Sequence, residues 1–185
     1  MDATIEGYLL QLEAVCQDLP GLTRRLSGEQ FNWRPDVTRW SIGQCVAHLN
    51  ITLERYLPVL ERAIADGRAQ GRLAQRRFVA SLFERWFIKS LEPPVRFRTK
   101  TPKAFVGGLE LTVESELARW DALHAQLAAA MRAAEGLDLG RLKVRSQFGP
   151  VSLSLGATFS VLLAHERRHV WQAREVRKSP GFPEA

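Results

Sequence analysis

Apolar side chains recur every three to four positions along most of the chain and never alternate long enough to mark a strand, so the pattern predicts helices. A first helix is expected over 2–19, with Ile5, Leu9, Leu12, Val15 or Cys16, and Leu19 inward and Pro20-Gly21 as its stop. Thr23 to Leu26 reads as a turn and Phe31-Asn32-Trp33-Arg34-Pro35 as a loop supplying aromatic cover. Ser41-Ile42-Gly43-Gln44 has the form of a capping box, in which each of the two polar side chains satisfies a free backbone N–H of the first turn. It opens a second helix to about Asp66, carrying Cys45, Leu49, Thr52 or Leu53, Tyr56 and Leu60 inward, with Pro58 expected to kink it. A third helix is predicted over 111–134, through Val113, Leu117, Trp120, Leu123 or His124, Leu127 and Met131. The fourth begins near Ser154 or Leu155 and ends near Lys178, before Pro180-Gly181.

Two irregular links interrupt this series, one framed by Pro93-Pro94 and Pro102, the other over 137–152 with Gly140, Gly149 and Pro150. Four long helices joined in this way predict an all-α fold, a four-helix bundle with long crossover connections, which can build metal sites from inward-facing side chains. A chain of 185 residues suits one domain whose core needs no disulfide staple. Cys16 and Cys45 lie in helical stretches and the acidic N-terminus lacks an apolar leader, so a cytoplasmic protein is expected. The longest apolar run is far below the roughly 20 residues of a membrane span, which argues against an integral membrane protein.

The net charge of +6 changes the picture only locally, because residues 67–103 hold ten basic side chains against Glu84 and Glu92, a surplus of +8 that leaves the remainder at −2. Within that segment Phe78, Leu82, Phe83 and Trp86 share a helical face among arginines, which predicts an amphipathic helix covering the bundle with its basic face in solvent. Such a patch could also recruit an anionic substrate, a membrane surface or nucleic acid, but because the charge is confined to one segment nucleic acid is not the expected partner. The Phe83-Trp86-Phe87 cluster favours a homodimer.

Candidate chemistry rests on three of the four histidines. His165 and His169 are four residues apart, so both imidazoles fall on one helical face at chelating distance, and the bundle can bring His48 to meet them. Three imidazoles suit a divalent metal ion and leave a position open for water or a substrate thiol. Zinc or nickel is the expected ion, with iron or manganese as further options. Gln172 shares the face of His165 and could orient a ligand, Trp40 could shape the pocket, and Cys45 sits three residues before His48 as a conceivable extra ligand or small core residue. His124 reads as a surface or packing residue. The letters His165-Glu166-Arg167-Arg168-His169 also match the zinc-peptidase helix H-E-x-x-H, with Glu166 as its base. That reading is disfavoured because only Glu175 and Glu184 follow as third ligands, and Glu166 is expected to be solvated or ion-paired.

The Trp-Ser start of the second helix with its His48, the loop Phe31 to Pro35, the segment Arg98-Thr99-Lys100-Thr101-Pro102, and the late His165 to Gln172 together resemble the DinB-like (DinB/YfiT) superfamily of bacterial metal-binding bundles. The resemblance implies one domain over 1–180 with a tail at 181–185, and a metal triad of His48, His165 and His169. It further implies a metal-dependent thiol transferase or related hydrolase acting on a small-molecule thiol and an electrophile, with Arg96 and Arg98 as candidates to anchor substrate. The catalytic residues beyond the ligands are not specified. The contrasting expectation is a non-catalytic stress-response or binding module held together by its metal.

Overall fold

The computed structural model describes residues 4–95 and 100–184; the candidate anchors Arg96 and Arg98 lie outside them. Four long helices form the bundle: α1 (Ile5–Thr23), α3 (Ile42–Ala69), α5 (Val113–Ala133) and α6 (Leu155–Arg177), with a short α2 (Gly28–Asn32) and α4 (Leu82–Leu91) between them. α1 and α3 each pack on both α5 and α6, closing a ring around the core. The Ser41–Gln44 capping box is present at the start of α3, and α6 starts from Ser154, whose hydroxyl accepts from Ala157 N. Both starts agree with the residues that announced them.

Several local expectations are revised. α1 does not stop at Pro20 but continues to Thr23, because a proline in the last turn forfeits one hydrogen bond while Leu19 and Thr23 stay buried and Arg24 N closes on the Pro20 carbonyl. Ser27 and Gln30 form a second capping box, which turns the expected loop at Phe31 into α2. α3 runs three residues past Asp66 to Ala69, with Pro58 inside it. The link after α5 contains a hairpin of β1 (Lys143–Arg145) and β2 (Ser152–Ser154), antiparallel, with Val144 opposite Leu153. Strands of three residues are too short to show as alternation.

α4 differs most from its expected placement. Phe78 precedes the helix and lays its ring against Gly156, where a Cβ would lie 2.5 Å from it. The face turned to α6 carries Phe87, Ile88 and Leu91, which pack on Leu153, Ala157 and Val161. Glu84 goes inward with them, taking N–H donations from Ser154 (2.8 Å) and Ser81 (2.9 Å). Leu82, Phe83 and Trp86 face out.

The bundle interior divides into two apolar clusters with a polar layer between them. One contains Tyr8, Leu53, Leu127, Met131 and Phe159; the other contains Leu19, Phe31, Leu49, Trp120 and Val170. Residues 48–52 of α3, His124 of α5 and 165–169 of α6 cross the boundary, so buried polar groups concentrate at one level of the fold. No helix among the described residues is long and apolar enough to cross a membrane.

Candidate metal centre

His48 enters the polar layer from the second turn of α3, and His165 and His169 enter it from consecutive turns of α6. One donor nitrogen from each can be chosen so that all three lie within 4.8 Å of one another. The Nε2 atoms of His48 and His165 are 3.1 Å apart, close to the roughly 3.3 Å that separates nitrogens around a tetrahedral ion with bonds of about 2.0–2.1 Å. Ring centroids are 4.5 Å apart for His48 and His169, and 4.6 Å for His165 and His169. No carboxylate belongs to this group.

The surroundings keep the imidazoles neutral. Burial pushes His48 below the usual histidine range, although the carbonyl it bonds pulls the other way. Burial also takes His165 and His169 well below it, reinforced by the neighbouring imidazoles and by Arg168. His48 Nδ1 lies 2.7 Å from the Phe105 carbonyl, which can only accept, so Nδ1 carries the proton and the Nε2 lone pair faces the other rings. His169 Nδ1 is buried with no hydrogen-bond partner. An orphaned nitrogen beside the converging Nε2 atoms of His48 and His165 fits a cation better than it fits a packed core.

Aromatic rings wall the site. Trp40 lies 4.9 Å from His48 and stacks on His169 at 5.7 Å. Phe105 and Phe148 meet at 4.4 Å, and Phe148 reaches to 5.6 Å from His165. Tyr56 steadies the Phe148 turn by accepting from Gln147 N and contacting Ser146 Oγ. Gln172 lies beside His169, favouring its protonated form without a hydrogen bond to the buried Nδ1. Cys45 is not among the converging donors: it is fully buried in the apolar cluster with Ile42 and Leu49, and burial pushes its thiol up to about 12.

His124 and Glu166, also in the polar layer, pair with each other. His124 is not a surface residue; its Nε2 donates to Glu166 Oε1 at 3.0 Å and its Nδ1 lies 2.8 Å from the Trp120 carbonyl. Glu166 is therefore turned toward α5, away from the three histidines, where a peptidase base could not work. Phe105 and Phe148 escaped the sequence reading because both lie in links without periodicity. His124 did fall on the inward stripe, but nothing in the spacing linked it to Glu166.

A bundle with extended crossovers and three convergent histidines defines a class of helical proteins with a candidate divalent-metal centre. The chain belongs to the DinB superfamily, whose family model matches residues 11–173. Among solved structures it is similar to YfiT from Bacillus subtilis, described as a probable metal-dependent hydrolase with an unusual four-helix bundle topology. The two share 15% identity with a TM-score of 0.65, over 97% of this chain and 89% of that one, a likeness of fold. No curated protein matches the chain.

Proposed function

We propose that this protein is a divalent-metal-dependent enzyme acting on small molecules, with His48, His165 and His169 as the ligands and a low-molecular-weight thiol or a water as the nucleophile. The observation that carries this reading is the convergence of three imidazoles held neutral in one polar layer. Zinc and nickel suit three nitrogen donors, and an ion bound there supplies the positive charge that makes a thiol or water nucleophilic near neutral pH. The chain's own contribution is orientation and shelter. The Phe105 carbonyl fixes the His48 tautomer, Trp40 braces two of the rings, and Phe105 with Phe148 limits the approach of bulk water.

The hydrolase description of YfiT supports water as nucleophile; the thiol-transferase reading rests on the family resemblance. A purely structural metal is disfavoured by the two apolar clusters that flank the layer and pack without it. Elemental analysis is expected to find bound divalent metal in the purified protein and its sharp loss in each of His48→Ala, His165→Ala and His169→Ala. Full retention in all three variants would overturn the site. Thiol consumption and ester hydrolysis, screened against generic electrophiles before and after chelation, separate the two nucleophiles. A chelated protein that loses turnover but not its melting temperature fits the enzyme, and one that unfolds fits the structural alternative.

A further inference from the structure

Outside the histidine layer, the outer face of α4 is the feature that neither the fold nor the metal reading accounts for. Leu82, Phe83 and Trp86 lie on the outer side of the helix, and Val79 in the segment just before it extends the patch; they are 82%, 52%, 66% and 78% exposed. The helix cannot roll to bury them. Its inner face is fixed by Phe87, Ile88 and Leu91 on α6, by Glu84 at Ser154 and Ser81, and by Glu92 with Arg167. Exposed Arg76, Arg85 and Lys89 flank the stripe, while both nearby carboxylates, Glu84 and Glu92, are engaged inward.

The geometry points to a peripheral docking surface for an anionic lipid bilayer, with the stripe entering the interface and the basic side chains meeting head groups. An aliphatic and aromatic ridge bordered by cations is the composition of helices that lie in a membrane interface, where Trp and Phe seat at head-group depth. A second copy of the chain fits less well. An isologous contact would set the cations of one face against those of its twin, and three side chains on a ten-residue helix about 15 Å long, with Val79 just before it, fall short of the roughly 800 Å² per partner that a specific dimer buries. Single-stranded nucleic acid would use Phe83 and Trp86 for stacking but leaves Leu82 and Val79 with nothing to contact.

The test uses the full chain as purified with sedimenting vesicles, one set of phosphatidylcholine alone and one with a third of phosphatidylglycerol. Binding is expected to the mixed vesicles, with a blue shift of tryptophan emission, and to fall steeply with added salt. Leu82→Glu with Trp86→Glu should abolish binding, and Arg85→Gln with Lys89→Gln should weaken it on the order of tenfold, since each cation contributes separately. Melting temperatures of both double variants are expected to match the parent because the substituted side chains face outward. Should Leu82→Glu with Trp86→Glu lower the melting temperature, Arg85→Gln with Lys89→Gln alone decides the matter. The proposal is overturned if the protein ignores mixed vesicles, if it binds both sets equally, or if Arg85→Gln with Lys89→Gln leaves binding unchanged. It is equally overturned if an oligonucleotide outcompetes the vesicles, or if light scattering shows a dimer that Leu82→Glu with Trp86→Glu dissociates.

Discussion

Glu166 lies between His165 and His169 in sequence and yet points across to His124 on α5, buried at a position one residue from a candidate ligand. A helix turns about 100° per residue, so a side chain adjacent to an inward ligand is aimed at a different neighbour. Glu166→Gln is therefore expected to keep its metal and turnover while losing about 1–3 kcal/mol of stability by chemical denaturation. A general base at this position would instead lose on the order of a hundredfold or more in rate. His124→Leu should cost more, about 3–5 kcal/mol, because it strands a buried carboxylate without its partner. The histidine pair was legible because a four-residue spacing returns to the same face whatever surrounds it. The direction of Glu166 was not, since it depends on which helix packs beside it.

Among the elements, α4 shows where periodicity loses its power. Its apolar residues occupy more than one face, and a stripe of Phe78, Leu82, Phe83 and Trp86 competes with one of Phe87, Ile88 and Leu91. Glu84 decided between them: its carboxylate satisfies N–H groups at the starts of both α4 and α6, and that requires it to face inward. Burial raises its proton affinity, but the donations from Ser154 and Ser81 outweigh it and hold the carboxyl down to about 2. A carboxyl depressed in the folded state releases its proton more readily there than in the unfolded chain. Its stabilising contribution is thus complete above the ordinary value of 4.5 and disappears as the pH falls through about 2. The gap in unfolding free energy between the parent and Glu84→Gln should be constant near neutrality and narrow on acidification below pH 4.5. Its neutral-pH size is expected to be about 1–3 kcal/mol.

At the scale of the whole molecule, the bundle, its caps and the triad were readable from the chain, whereas the crossovers that finish the site were not. Phe105 and Phe148 come from links whose path depends on what they pack against. Gly107 shows how tightly one of them is seated: a Cβ added there would lie 2.5 Å from the Cβ of Ala47, the residue before His48. Gly107→Ala should push the crossover off α3 and draw the Phe105 carbonyl away from His48. Metal affinity is expected to fall about 10–100-fold, as for other losses of a ligand's supporting partner, with helical content by circular dichroism little changed.

The acceptor that His48 meets is a backbone carbonyl, and this has a chemical consequence. A carboxylate in that place would feed negative charge through the imidazole and could be protonated; an amide oxygen is neutral and has no titration in the range where proteins fold. A cation held by the three histidines would therefore keep more of its electron-withdrawing strength for a further ligand. Because the acceptor belongs to the main chain, no exchange of the side chain at position 105 removes it, and the electronic character of the site is set by the course of a loop.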